Sequence, residues 1–138
     1  SKNSPMENIF ESYKKIIENK VVLVEVRDEI NKKKKLILQK SLFEKNISIK
    51  TNLVVLDKSG KNLSSEKFSS FLDEKMKSSC KELIFFIGGP EGFEYNLIKN
   101  YFNLSFGIQT WPHLLIRIML VEQIYRALSI IKNHPYHK

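Results

Sequence analysis

Residues 83–92 read LIFFIGGPEG, a short apolar run that leads directly into a glycine-rich loop. The run is aliphatic and aromatic, and it predicts a buried strand over residues 83–87. Glycines after a strand permit positive φ angles and let a ligand approach the backbone. The loop matches neither the GxGxxG pattern of dinucleotide-binding folds nor the GxxxxGK[ST] pattern of P-loops. From the residues alone, a tight strand-to-helix turn and a ligand pocket explain it about equally well.

Strands and helices are predicted to alternate along the rest of the chain. Further strands are predicted over residues 21–26, 53–56 and 104–106, and the second of these ends at Asp57 before a turn at Ser59 and Gly60. Helices are predicted from Pro5 onward, over residues 28–45, after a cap at Ser64 or Ser65, over 94–100 and over 112–133. The predicted buried faces of the first two helices are Ile9, Tyr13, Ile16 and Ile17, then Ile30, Ile37, Leu38, Ser41 and Leu42. This alternation predicts an α/β fold with a mainly parallel sheet, whose ligands bind beyond the carboxyl ends of the strands.

Length and composition narrow the class of protein. The chain has 138 residues and one cysteine, which fits a single domain over residues 1–138 without an internal disulfide. A lone Cys80 excludes a secreted scaffold that is held together by disulfides. The sequence also lacks the paired Cys/His spacings of a structural zinc site, so no metal is expected. With 23 Lys and Arg against 15 Asp and Glu, the net charge of +8 indicates an anionic partner, nucleic acid before a membrane surface.

Nothing in the sequence indicates secretion or a membrane span. Residue 1 is not followed by an apolar segment of the signal-peptide type, so a cytoplasmic protein is expected. The longest apolar stretch covers residues 114–131, but Arg117, Glu122 and Arg126 interrupt it. We therefore interpret it as a buried helix. The charge run at residues 32–35 fits a solvated helix face better than an RNA contact.

The C-terminal segment carries the residues with the most chemistry. Its helix is apolar on more than one face, which indicates either full burial or a subunit interface, and an interface is favoured in so short a chain. His113, near the start of this helix, is interpreted as a ligand contact or as a structural capping residue. The chain ends NHPYHK at residues 133–138. Histidine, tyrosine and lysine suit proton handling, base stacking and phosphate contact, although terminal residues often carry no function.

A series of C-terminal motifs resembles one known family. The series is IGGPEG at 87–92, LS at 104–105, TWPH at 110–113, Arg117, VEQIYRA at 121–127 and NHPYHK at 133–138. It resembles the RlmH/YbeA family of SPOUT-class methyltransferases, which methylate N3 of a pseudouridine in 23S ribosomal RNA. The resemblance is dense over residues 83–138 and looser over 1–82. Two features depart from the family pattern. The family's first apolar strand does not precede Pro5, which means either that the numbered chain starts after that strand or that the strand is missing, and Trp111 replaces a smaller apolar residue of the adenine pocket.

The resemblance implies a fold, a cofactor and partners. It implies a SPOUT-type α/β fold, an open mainly parallel sheet with helices on both faces and a C-terminal trefoil knot, acting as a homodimer. It implies S-adenosylmethionine as the methyl donor and 23S rRNA, within the large subunit or the assembled ribosome, as the substrate. The cofactor residues carried over are Leu56, Gly88, Gly89, Gly107, Ile108, Gln109, Thr110, Trp111 and Pro112.

The resemblance also directs attention to the tail. His137 and Tyr136 are the candidate catalytic bases, because family tails close over the cofactor site, here expected to be that of the partner subunit. His113 and Lys138 are the candidate RNA-binding residues.

Three other functions fit part of the sequence. A non-catalytic basic RNA-binding module explains the charge but not a glycine loop beside an apolar helix. A SPOUT methyltransferase acting on tRNA shares the cofactor motif. A nucleotide hydrolase would need a lysine in phosphate-binding position and a carboxylate cluster for a metal, and the sequence offers neither.

Overall fold

The computed structural model describes residues 5–17, 21–25, 32–45, 53–77, 83–88 and 92–137. Within these ranges the chain forms five helices and four strands. In chain order they are α1 (Pro5–Ile17), β1 (Val21–Glu25), α2 (Lys32–Lys45), β2 (Leu53–Lys61), α3 (Ser65–Lys77), β3 (Leu83–Ile87), α4 (Tyr95–Ile98), β4 (Phe102–Leu104) and α5 (His113–Ile131).

The chain divides into two compact units, each built from separated segments. The sheet unit comprises residues 23–62 and 84–110, and the helix unit comprises residues 1–22, 63–83 and 111–138. The expectation of a single domain over residues 1–138 stays a prediction.

The strands form a sheet of order β1-β3-β2-β4 within the described residues. β2 runs parallel to β3, with Leu53 opposite Ile84 and Leu56 opposite Ile87, and parallel to β4, with Leu56 opposite Leu104. All five residues of β3 and the first four of β2 are buried. Parallel strands buried on both faces appear in sequence as continuous apolar runs, which is why these two were predictable. The α/β class with a parallel sheet is confirmed.

β2 and β4 differ from their predicted bounds. β2 continues to Lys61 instead of ending at Asp57, and β4 covers Phe102–Leu104 instead of 104–106. Both Leu56 and Lys61 lie opposite Leu104, so β2 bulges between them and then rejoins the ladder. The predicted turn lies inside this bulge, where the Asp57 carboxylate accepts the Ser59 N–H at 3.1 Å.

In the helix unit, α5 packs against α1 and α3. The buried residues of α5 include Leu120, Val121, Ile124 and Ala127, and α3 contributes Phe68 and Leu72. The predicted face of α1 was wrong at Ile9, which is 47% exposed, while its neighbour Phe10 is buried at 3% exposure. Tyr13 of the predicted face packs against Tyr125 of α5, with ring centroids 5.7 Å apart, and the side chains of Ile16 and Ile17 lie outside the described part of the chain. The α3 start agrees with the predicted cap, since the Ser64 hydroxyl accepts the Lys67 N–H at 3.1 Å.

A bidentate ion pair joins α1 to α5. Arg117 donates from Nη1 and Nη2 to the two carboxylate oxygens of Glu7, each at 3.0 Å. The same guanidinium lies 3.9 Å from the centroid of the Phe10 ring, which explains why Phe10 takes the inward position. The charge that interrupts the apolar helix in the sequence is thus neutralised within the chain.

Among the helices that the structure describes, none combines the length and the apolar character needed to cross a lipid bilayer. Cys80 lies outside the described residues, and so do residues 28–31, where the second helix was predicted to begin.

Candidate functional site

Three parallel strands of the sheet unit end at one edge. Leu56 of β2 lies opposite Ile87 of β3 and Leu104 of β4. Gly88 follows Ile87, and residues 105–110 follow Leu104. The structure therefore brings Leu56, Gly88 and residues 107–110, all predicted from the resemblance, to the edge where parallel sheets bind ligands. Gly89 lies outside the described residues.

The loop after β4 is exposed at residues 108–110. Gly107 has a φ of +113°, and a Cβ atom built on it meets nothing within 4 Å. The Ser105 hydroxyl fixes the start of the loop, because it accepts the Gly107 N–H at 3.0 Å and lies 2.9 Å from the Gly107 carbonyl oxygen. Ile108 is 89% exposed, which is unusual for an apolar side chain. Residues 108–110 are all exposed, so this loop leaves room for a ligand at the carboxyl edge of the sheet.

The glycines after β3 serve the packing of their own loop. A Cβ atom on Gly88 would lie 2.8 Å from the Phe93 ring, and Phe93 is buried. Gly92 has a φ of +73°, and a Cβ there would lie 2.9 Å from Oδ1 of Asp57. A tight turn therefore accounts for Gly88 and Gly92, one of the two explanations that the sequence left open.

Gln39 holds this loop from α2. It is 2% exposed, its Nε2 donates to the Gly92 carbonyl at 3.4 Å, and its Oε1 accepts the Glu94 N–H at 3.2 Å. The predicted face of α2 was wrong at Ile37, which is 67% exposed, and at Ser41, which is also exposed, whereas Leu38 is half-buried. Ile30 and the Leu42 side chain lie outside the described part of the chain. Buried loop backbone needs hydrogen-bond partners, and one carboxamide supplies both a donor and an acceptor. The apolar pattern of α2 carries no signal of this role.

Gln39→Leu is expected to lower the free energy of unfolding by about 1–3 kcal/mol, because it leaves two backbone groups of the loop without their partner. Urea titration followed by circular dichroism measures the change. Lys40→Leu is the matched control, since Lys40 is the exposed neighbour on the same helix. Equal unfolding midpoints for the two variants would contradict the role of Gln39.

The tail folds back on the helix unit after α5. Asn133 adopts a φ of +56°, and the His134 N–H donates to the Ser129 carbonyl at 2.8 Å, which reverses the chain as at many helix ends. The Tyr136 ring then packs edge-on against Tyr125, with centroids 4.6 Å apart. The helix thus ends two residues before the predicted Asn133, because the turn forms at Asn133 itself.

Tyr136 is held as a neutral phenol. Its hydroxyl lies 3.2 Å from the Tyr13 hydroxyl and donates to Oε1 of Glu122 at 3.2 Å. The hydrogen bond with Tyr13, burial and the negative charge of Glu122 raise the pKa of Tyr136 above its usual 10.0. The phenol stays protonated at neutral pH, so this geometry makes Tyr136 a hydrogen-bond donor.

His137 contacts a cation on one side and an anion on the other. Its Nδ1 lies 3.0 Å from Nη1 of Arg126, and its Nε2 lies 2.9 Å from Oε1 of Glu66. A guanidinium only donates, so we assign Nδ1 as the acceptor and Nε2 as the protonated nitrogen that donates to Glu66. The hydrogen bond from His137 is the main reason that the pKa of Glu66 lies below 4.5.

Arg126 is fixed by Glu122 one turn earlier on α5. Its Nε and Nη2 donate to Oε1 of Glu122 at 3.0 and 2.7 Å, and this hydrogen bonding raises the pKa of Arg126. The guanidinium also lies 5.0 Å from the centroid of the Tyr136 ring. We call Glu66, Glu122, Arg126, Tyr136 and His137 the tail cluster. Sequence reasoning singled out Tyr136 and His137 but missed the anchoring role of Glu66.

The remaining candidate residues lie at the start of α5. Trp111 and Pro112 precede the helix in the helix unit, and His113 is its first residue. Lys138 lies outside the described residues. The RNA-binding roles of His113 and Lys138 stay predictions. Among the residues that the structure describes, no group of three or more His, Cys, Asp or Glu side chains is arranged to hold a metal ion.

Curated relatives share one name. The "Ribosomal RNA large subunit methyltransferase H" of Carboxydothermus hydrogenoformans is 48% identical over 87 residues, which cover 62% of this chain and 55% of that protein. The proteins of that name from Chelativorans sp. (strain BNC1) and Coprothermobacter proteolyticus are 44% and 43% identical, and the alignments cover 62% of this chain in both cases. They cover 50% and 62% of those two proteins, so the chain spans only about half to three fifths of the length of these relatives.

A family model described as "Predicted SPOUT methyltransferase" matches residues 1–137, nearly the whole chain. This match agrees with the parallel sheet and with the loop at its carboxyl edge. The chain belongs to the SPOUT methyltransferase family.

Proposed function

We propose that this chain transfers a methyl group from S-adenosylmethionine to N3 of a pseudouridine in 23S ribosomal RNA. The observation that carries the proposal is the family match over residues 1–137, joined to an open, positive-φ loop at the carboxyl edge of three parallel strands. The names of the curated relatives support ribosomal RNA as the substrate. The net charge of +8 supports a polyanionic partner.

Leu56, Gly88 and residues 107–110 would hold the methyl donor, with Gly89, Trp111 and Pro112 carried over from the family. When bound, S-adenosylmethionine supplies an electrophilic methyl group on a sulfonium. The exposed residues 108–110 leave room for its adenosine, and Ile108 suits an apolar contact with it.

The chain must also remove a proton, because N3 of pseudouridine is an imide nitrogen that carries hydrogen. His137 is the favoured base, since its assigned tautomer keeps a lone pair on Nδ1. Tyr136 suits the role of a neutral donor beside it, because its phenol resists ionisation.

We also propose that two copies act together and that the protein works in the cytoplasm, on the large subunit or the assembled ribosome. α5 supports a homodimer: it buries one face against α1 and α3, while Leu114 on it is 37% exposed and Ile9 on α1 is 47% exposed. In such a dimer the tail of one copy would act on the methyl donor held by the other. Light scattering of the purified chain tests the stoichiometry.

The test of the function uses the purified 138-residue chain with radiolabelled S-adenosylmethionine. Large ribosomal subunits from cells lacking this gene are one substrate, and total tRNA is the other. Label in the subunits, mapped by mass spectrometry to N3 of one pseudouridine, is the expected result. Label only in tRNA would favour the tRNA-directed alternative. No label, together with no heat of S-adenosylmethionine binding in calorimetry, would leave an RNA-binding module.

A further inference from the structure

Two carboxylates hold the reactive side chains of the tail cluster from opposite sides. Glu66 accepts from Nε2 of His137, and Glu122 accepts from Nε and Nη2 of Arg126. Between them, Nη1 of Arg126 and Nδ1 of His137 face each other at 3.0 Å. The His137 and Arg126 side chains are 23% and 26% exposed, so both are reachable from solvent.

The two facing atoms form a hydrogen-bonding pattern of one donor beside one acceptor. An imide presents the complementary pattern, because its carbonyl oxygen accepts and its neighbouring N–H donates. Uracil-type bases carry this edge at N3. The corresponding ring nitrogens of cytosine and adenine carry no hydrogen, so those bases would leave Nδ1 without a donor. Guanine carries a similar edge at N1 and O6, and the proposed pseudouridine substrate is what selects the uracil type.

We propose that Glu66 and Glu122 are positioning residues that hold His137 and Arg126 so that the pair between them opens to bind the imide edge of a uracil-type base. The inference deepens the proposed function and rests on it. Arg126 Nη1 donates to the carbonyl oxygen next to N3, and Nδ1 of His137 accepts the N3 hydrogen. Arg126 stays hydrogen-bonded to Glu122 and His137 to Glu66, while the contact between Arg126 and His137 is replaced by contacts with the base.

The same geometry provides an acceptor for the N3 proton that is released during methyl transfer. The N3–H bond breaks and its proton goes to Nδ1 of His137. The electron pair left on N3 forms the new bond to the methyl carbon, and the electrons of the carbon–sulfur bond stay on sulfur. Negative charge that develops on the carbonyl oxygen is stabilised by the Arg126 guanidinium.

Glu66 is the anchor that can be removed without unfolding the chain. Its side chain is 69% exposed, and ion pairs of this kind contribute little to stability. Without Glu66, Arg126 still donates to Nδ1, but Nε2 of His137 loses its partner. The imidazole would then be held from one side only, and it would lose its orientation when Arg126 turns to the base.

The kinetic test compares Glu66→Leu with Glu74→Leu, a matched control at an exposed position of the same helix. Glu66→Leu is expected to lower kcat for rRNA methylation by about 10-fold or more, part of what a positioned base supplies, with unchanged Kd for S-adenosylmethionine and unchanged Tm. Glu66→Gln should restore most of kcat, because its amide oxygen still accepts from Nε2. Equal kcat values for Glu66→Leu and Glu74→Leu would overturn the inference, as would a Glu66→Gln variant as slow as Glu66→Leu.

A second readout does not depend on activity. In ¹⁵N NMR of the wild-type chain, His137 is expected as the Nε2–H tautomer, and Glu66→Leu should shift the Nε2 signal because its hydrogen bond to Glu66 is lost. Oligouridylate should shift the Nδ1 signal and oligocytidylate should not. A wild-type Nδ1–H tautomer, or an equal response to both oligonucleotides, would overturn the inference. Failure of the proposed function would instead appear as a wild-type chain that methylates no RNA, whatever the tautomer.

Discussion

His137→Ala is expected to lower kcat for rRNA methylation by about 10²–10⁴-fold, the range that a positioned general base supplies. The substitution removes the imidazole whose Nδ1 lone pair is proposed to take the N3 proton. The affinity for S-adenosylmethionine should stay unchanged, because His137 is not among the residues proposed to hold the donor. Single-turnover methylation of large ribosomal subunits measures the first quantity, and calorimetry measures the second.

The matched control for this substitution is His134→Ala. His134 lies in the same turn, but its side chain is exposed, and its backbone N–H makes the hydrogen bond to Ser129. Tyr136→Phe distinguishes the role of Tyr136 from that of His137, because it keeps the ring against Tyr125 and removes only the hydroxyl. A rate for His137→Ala equal to that of His134→Ala would remove the imidazole from the mechanism. A Tyr136→Phe variant slower than His137→Ala would move the main role to the phenol.

The central strands were predictable because burial on both faces leaves a continuous apolar run in the sequence. β3 has the predicted bounds, and β2 begins where predicted. The far end of β2 was not predictable, since its return to the ladder at Lys61 depends on the position of β4, more than forty residues later in the chain. A turn signal such as Ser59-Gly60 shows where the chain bends but not whether it pairs again afterwards.

The predicted buried faces of α1 and α2 were wrong at positions next to a side chain that has a specific partner. Phe10 is buried under Arg117, and Gln39 is buried because the loop backbone at Gly92 needs its amide. Neither partner is visible to a count of apolar positions along one helix.

The candidate site was predictable only in part. Tyr136 and His137 stand out in the sequence through their side-chain chemistry and the family resemblance. Their anchors do not: Glu66 is 71 residues away from His137, and Tyr13 is 123 residues away from Tyr136. An acidic residue in the first turn of a helix is ordinary, so nothing local marks Glu66. The trefoil knot and the homodimer stay predictions from the resemblance.

Gly60→Ala is expected to lower the free energy of unfolding by about 3 kcal/mol, at the upper end for overpacking by a single methyl group. A Cβ atom at residue 60 would lie 2.5 Å from the carbonyl carbon and oxygen of Asn103 and 2.8 Å from the nitrogen of Leu104. These are backbone atoms of β4, so no side-chain rotation relieves the clash. The strand itself must move away from β2, which breaks the pairing of Lys61 with Leu104. Urea titration followed by circular dichroism measures the loss.

The same substitution tests whether the donor loop depends on the sheet. The Ser105 N–H donates to the Lys61 carbonyl at 2.9 Å, and the loop with Gly107 starts from this point. Displacement of β4 should therefore weaken S-adenosylmethionine binding under conditions where the chain is still folded. Lys58→Ala, an exposed neighbour in the same bulge, should change neither quantity. Unchanged stability of Gly60→Ala would mean that β4 does not run beside Gly60, and unchanged donor affinity despite lower stability would mean that the loop is formed without β4.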